Sequence, residues 1–341
     1  MAPSVEKSWH FGQFKGDQDM SRAPHALVHT GGMKPLPPTL QVIERGWLSS
    51  NHVVFADDDA PTVIDTGYVT EGEGTLRLIG EALKGRRLER IVNTHLHSDH
   101  AGGNALLQAE HGCAIWIPPG EAGLVEQWDE ERLSYRRTSQ LCPRFRHDHV
   151  LRLDEAIELG GESWRVLPAA GHDHAMVMFW CERLGVLISA DALWQKGFGV
   201  IFPELAGIPG FGEQAATLEL IGQLAPQVVI PGHGAPFSEE DGAVSAALAA
   251  ARSRIQWLSE EPRRNADNAL KVLLAFKLLE AKRLSLAELA RMVAATFEGN
   301  EAMRAFYPQE PEAIAAVMAQ ELERVGAARL EDGVLVAQAL A

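Results

Sequence analysis

The sequence is poor in cysteine. Its three, Cys113, Cys142 and Cys181, are odd in number and form no close pair in 341 residues. That argues against a disulfide scaffold and suits a reducing compartment, so a cytoplasmic location is expected. No hydrophobic run approaches the roughly 20 residues that span a bilayer, and no membrane partner is expected. The opening "MAPSVEKSWHFGQF" has no basic stretch leading into an apolar one, so no secretory leader is expected. Positive charge is short as well: 31 Lys and Arg against 46 Asp and Glu leave a net charge of −15. This balance disfavours a partner held mainly through phosphate neutralisation. Neither an internal repeat nor a low-complexity segment is seen. What is present, 46% hydrophobic and 23% charged residues, is ordinary for a globular chain long enough for one large domain or two.

The texture changes along the chain. Residues 1–38 are polar and irregular, end in "KPLPP", and read as an N-terminal arm. Residues 39–238 alternate strands and helices: "LQVIERG", "NHVVFA" and "PTVIDTG" read as strands, and "GTLRLIGEALKG" as a helix. "RIVNTH" is a short buried strand, followed by a helix over about 104–111 and the strand "AIWIP". Residues 119–150 interrupt this rhythm and suggest one or two helices before an Arg- and His-rich loop. "SWRVLPAAG", "MVMFWCE" and "GVLISAD" return to strands, then come a helix near 213–224 and the strand "QVVIPGHG". Residues 239–341 are mainly helical, with segments near 239–259, 267–282, 285–297 and 311–325. The Asp332-Gly333 pair near the end signals a hairpin.

One short stretch concentrates chemistry. "THLHSDHAGG" places His95, His97, Asp99 and His100 within six positions, just where a buried strand ends. On an extended backbone His95 and His97 point the same way. Asp99 and His100 fall in the turn before a helix and can aim at a second point. Imidazole with carboxylate suits zinc and similar transition metals; a solvated polar turn is the alternative. His172, Asp191 and His233 each follow or end a later strand. Gly232 and Gly234 give the last of these freedom for a tight turn.

"VIDTG", "THLHSDHAGG", "AAGHDHAMVMF", "LISADAL" and "VIPGHG", in that order, resemble the motifs of the metallo-β-lactamase superfamily over about residues 40–237. The resemblance implies an α/β fold, a four-layer αβ/βα sandwich, with metals at one edge. It implies that His95, His97 and His172 bind one divalent cation, that Asp99, His100 and His233 bind a second, and that Asp191 bridges them. Asp65 would stand behind these ligands and orient them by hydrogen bonds; the alternative is a turn-forming Asp. The sequence departs from the common pattern after His172, where Asp173 and His174 replace a Thr/Ser-Pro pair and Met176 stands where a second His often falls. His174 is the rival ligand. The tail after 239 resembles the winged-helix-like extension of a β-lactamase-like subgroup that includes an endoribonuclease.

The implied activity is metal-assisted hydrolysis by a hydroxide bridging two cations, zinc first, with iron or manganese also suiting the N/O donor set. Asp99 and Asp191 are the candidate catalytic carboxylates. Retention of Asp191 resembles glyoxalase II-like thioesterases, lactonases and phosphodiesterases more than true β-lactamases. A small ester, thioester or lactone is therefore the expected substrate, with a phosphodiesterase or endoribonuclease as the alternative and a β-lactamase or low-activity binding protein behind it. Residues 239–341 hold 12 Lys and Arg against 16 Asp and Glu, so nucleic acid is the less favoured partner and a pocket-shaping cap or homo-oligomer contact the favoured role. Tyr135, Arg136 and Arg137 in the insert, and Trp194, Phe198 and Phe202 after Asp191, are the candidate pocket walls.

Overall fold

The computed structural model describes residues 36–298 and 300–338. Most of the expected arm, residues 1–35, lies outside them. Six strands form the first sheet in sequence order: β1 (Gln41–Ile43), β2 (His52–Phe55), β3 (Thr62–Ile64), β4 (Arg90–Val92), β5 (Ala114–Ile117) and β6 (His149–Val150). Strands β1 to β3 pair antiparallel and β3 to β6 parallel. The second sheet runs in reverse order from β12 (Phe237–Ser238) through β11 (Val228–Pro231), β10 (Val186–Ala190), β9 (Val177–Cys181) and β8 (Glu162–Pro168) to β7 (Ala156–Leu159). Only β10 and β11 pair parallel there.

Strand alternation divides these residues between three cores. Val53, Ile64, Val92, Val166, Phe179, Ile188 and Ile230 face the core between the sheets. Their neighbours Val54, Val63 and Ile91 turn outward under helices α1 (Gly72–Leu83) and α3 (Asn104–His111). Leu167, Met178, Leu187 and Val229 turn the other way, under α6 (Phe211–Leu224) and α7 (Ala243–Glu260). Helix, sheet, sheet and helix make the four layers. Short α2 (Ser98–Ala101), α4 (Ala122–Gln127) and α5 (Phe202–Leu205) lie in the connections.

The 119–150 insert holds one of the one or two helices expected, the six-residue α4; Trp128, Ser134 and Ser139 adopt left-handed backbone angles, which stop a helix, and turns and coil lead on to β6. One expectation needs correcting. The helix expected to open the C-terminal unit, α7, instead completes the sandwich. Val244, Ala247, Leu248, Ala251, Ile255 and Leu258 form its apolar stripe and belong to the core over the second sheet. We therefore place the packing boundary after α7 rather than at 238/239.

Beyond it, α8 (Arg263–Ala281), α9 (Leu286–Phe297), α10 (Glu301–Arg304) and α11 (Pro311–Arg324) share a separate core. Strands β13 (Arg283–Ser285), β14 (Ala328–Glu331) and β15 (Val334–Ala337) form a small antiparallel sheet in the order β13-β15-β14. Ser285 and Glu288 cap α9 reciprocally. Helix α8 docks on the sandwich where Phe276 meets Tyr68 edge-on at 4.8 Å, and the Tyr68 hydroxyl donates to Glu280 at 3.0 Å. No helix among the described residues is long and apolar enough to cross a membrane.

Candidate metal centre

Strand direction assembles the site. β3 and β4 run parallel, and β8, β10 and β11 share one direction through their pairings, so their C-terminal ends gather at a single edge. The chain after β3 supplies Asp65, after β4 His95 to His100, after β8 His172, after β10 Asp191 and after β11 His233. Asn51 joins the two sheets there, its amide donating to the carbonyls of Pro231 at 3.0 Å and Gly234 at 2.7 Å.

The seven expected ligands converge. His97 Nδ1 lies 3.1 Å from His95 Nε2 and 2.8 Å from His172 Nε2. Asp99 Oδ2 lies 3.2 Å from His233 Nε2 and 3.9 Å from His100 Nε2. Asp191 stands between the groups: Oδ1 is 3.5 Å from His100 Nε2, and Oδ2 is 3.4 Å from His172 Nε2 and 3.9 Å from His233 Nε2. The donor atoms fall into three clusters, His95/His97/His172, His95/His100/Asp191 and Asp99/His100/His233, each within 4.8 Å. His174 lines the cavity but joins none of them.

Hydrogen bonds behind the imidazoles select the nitrogen each presents. His172 Nδ1 donates to the Val200 carbonyl at 2.6 Å. His95 Nδ1 donates to the Thr94 hydroxyl at 3.0 Å, which itself donates to Asp65 Oδ2 at 2.7 Å. His100 Nδ1 donates to the same Asp65 oxygen at 2.8 Å. In all three, Nε2 is left bare toward the centre. His97 is reversed: its Nε2 faces Asp173 at 3.6 Å and its Nδ1 turns inward. Bare lone pairs thus meet at hydrogen-bond distance with no proton between them, and His100 Nε2 is buried without a partner. Divalent cations satisfy this arrangement, and the residues fit two of them.

Charge follows the same pattern. Burial and the neighbouring His100, His97 and His172 hold His95 well below the usual histidine range. Burial would lower His100 too, yet Asp191, Asp65 and Asp99 outweigh it and push it well above, so without a cation the carboxylates would draw a proton to the Nε2 that a metal would otherwise occupy. Burial opposes ionisation of Asp99, but His100 and His233 bring its carboxyl down to about 2.

The centre forms the floor of a cavity of about 1240 Å³ that reaches the C-terminal helices. Trp194, Phe198 and Phe202 line it, as does Arg137, which pairs with Glu131. Tyr135 does not: it is 2% exposed and its hydroxyl donates to the Leu96 carbonyl at 2.7 Å, supporting the ligand segment from behind. Arg136 points to solvent beside Glu130.

Trp47 and Glu121 carried no sequence signal. Trp47 stacks on His233 with ring centroids 5.5 Å apart. Buried Glu121 sits near Asp173, and burial with that charge raises its carboxyl well above the usual range. Gly232 is required for space more than for turn freedom, because a Cβ there would collide with the Asp191 carboxylate.

Trp194 does more than form a wall. Its indole N–H donates to Asp191 Oδ1 at 3.2 Å and helps hold the carboxylate between the two donor groups. Trp194→Phe keeps the ring against Trp47 and His233 but removes that donor. A hydrogen bond to a charged group is worth about 1.5–3 kcal/mol, so kcat should fall about tenfold or more, with weaker metal retention in chelator competition. A raised KM with unchanged metal affinity would instead make Trp194 only a substrate wall.

A profile of the metallo-beta-lactamase superfamily matches residues 45–233, which hold all seven converging side chains. Hydroxyacylglutathione hydrolase from Methylococcus capsulatus is 35% identical over 119 residues, 35% of this chain and 39% of that protein, so the match spans under two fifths of the relative's length. Beta-lactamase-like protein 2 homolog from Drosophila melanogaster is 25% identical over 236 residues, 66% of this chain and 70% of that protein. Among solved structures, a metallo-beta-lactamase family protein from Thermus thermophilus aligns over 89% of this chain and 99% of its own. Its TM-score is 0.51 at 18% identity, a likeness of fold.

Proposed function

The chain belongs to the metallo-beta-lactamase superfamily, and from that premise we propose that it is a dinuclear metallohydrolase acting on a small ester, thioester or lactone. One observation carries the proposal: two groups of donors, with Asp191 between them, on the floor of a cavity large enough for an organic substrate. His95, His97 and His172 would hold one cation, Asp99, His100 and His233 the other, and Asp191 both. When bound, two divalent cations lower the pKa of water from 15.7 towards about 7 and polarise the oxygen of the scissile group.

The chain's own residues do the rest. Asp65, Thr94 and the Val200 carbonyl hold the imidazoles in register, so little reorganisation is needed during reaction. Asp99 and Asp191 are the carboxylates on the cavity floor that would accept a hydrogen bond from the attacking water and orient it. Phe198, Phe202 and Trp194 give the cavity apolar walls beside that floor. No serine or cysteine nucleophile is required, and the three cysteines are buried away from the cavity. The similarity to hydroxyacylglutathione hydrolases favours a thioester among the three substrate classes.

The deciding experiment measures bound metal, then screens thioester, ester, lactone, phosphodiester and β-lactam substrates. We expect two cations per chain and turnover confined to the acyl substrates. Cleavage of phosphodiesters alone would transfer the proposal to nuclease chemistry. Full metal loading without turnover on any substrate would overturn it.

A further inference from the structure

The cavity contains a cation that the metal centre does not use. Arg254 of α7 lines it, half-buried. Its guanidinium donates one hydrogen bond, from Nη1 to the Phe198 carbonyl at 3.3 Å, and lies 4.7 Å over the Phe198 ring. Among the described residues no carboxylate pairs with it. Burial pulls its pKa down only to about 10, so it stays charged at neutral pH.

A guanidinium carries five N–H donors in a planar fork suited to two-oxygen acceptors. Withdrawing its charge from water without a counter-ion is costly, and one carbonyl with one ring face does not neutralise it. The backbone has been shaped around it: Gly197 adopts a φ of +127°, and a Cβ there would collide with the Arg254 side chain. The position is also near the chemistry. Phe198, which Arg254 holds, precedes Gly199, whose N–H donates to the Asp191 carbonyl at 2.9 Å and which packs against the His172 ring. Phe198, Phe202, Val272 and Met303 supply apolar walls.

We propose that Arg254 anchors an anionic group, a carboxylate or a phosphate, on the non-reacting part of the substrate. The substrate would then be an acyl compound with an apolar body, its scissile bond at the cations and its negative charge on Arg254. This rests on the hydrolase reading for the scissile end, whereas the anchor itself is read by binding.

The test uses metal-loaded protein and three non-hydrolysable thioethers that share one alkyl body and end in a carboxylate, a phosphate or a primary amide. Calorimetric titration of the wild type should show one of the two anions binding about tenfold or more tighter than the amide, and which one identifies the group. Arg254→Met should abolish that preference while leaving amide affinity, metal content and Tm unchanged. Arg254→Lys should keep part of it. Equal wild-type affinity for all three probes would overturn the proposal. So would an equal loss for all three in Arg254→Met, which would make the guanidinium a tether for residues 194–199. Discrimination among thioethers without turnover of any acyl substrate would sink the hydrolase reading and leave the anchor standing; turnover without discrimination would do the reverse.

Discussion

Replacing Asp191 with alanine is expected to remove one bound cation per chain and to lower kcat about 10³-fold or more, with the protein still folded. The carboxylate is 3% exposed and lies 3.4 to 3.9 Å from donor nitrogens of His100, His172 and His233, so it stands between the two donor groups. Its loss would take away the carboxylate proposed to hold both cations. Metal assistance is worth several kcal/mol, and each 1.36 kcal/mol is tenfold in rate. Folding should survive because Asp191 lies outside all three cores of the sandwich, and His100 keeps Asp65 as its acceptor. Metal analysis beside circular dichroism and steady-state kinetics checks this. Two cations and unchanged turnover in the variant would remove the dinuclear mechanism.

The second large effect is expected from Asp65→Asn. Asp65 accepts three hydrogen bonds: Thr94 N–H on Oδ1 at 2.9 Å, and the Thr94 hydroxyl and His100 Nδ1 on Oδ2 at 2.7 and 2.8 Å. Its φ of 57° is one that asparagine tolerates, so the substitution tests chemistry more than backbone strain. Whichever way the new amide turns, its NH₂ meets a donor. Each group left unsatisfied costs about 1–3 kcal/mol. With the NH₂ turned to the Oδ2 side, His100 also loses the acceptor that aims its Nε2 at the centre; with it turned to the other side, His100 keeps only a neutral acceptor. Affinity for the cation held with Asp99 and His233 should fall about 10- to 100-fold, read by chelator competition, and Tm should drop. Unaltered metal affinity would reduce Asp65 to a turn residue.

The seven converging residues were legible because each stands beside the end of a short apolar run, and the order of those runs along the chain carries the motif. Trp47, Asn51 and Arg254 were not, since nothing local distinguishes them from other surface-compatible residues. Asn51 matters through carbonyls 180 and 183 positions away. Tyr135 misled for the opposite reason: an aromatic in a polar insert reads as a pocket wall, but its ring found a core and its hydroxyl a buried carbonyl. The stripe on α7 likewise announced a face to be buried without saying which surface would cover it.

The linear chain thus marked most of the strands and helices and the seven residues that converge, because period and strand-end position are local properties. Only the tertiary structure decided which nitrogen each imidazole turns inward, that α7 covers the second sheet, and that a guanidinium with no carboxylate partner among the described residues borders the cavity. Those outcomes depend on hydrogen bonds and contacts between residues tens to hundreds of positions apart, which spacing along a sequence does not encode.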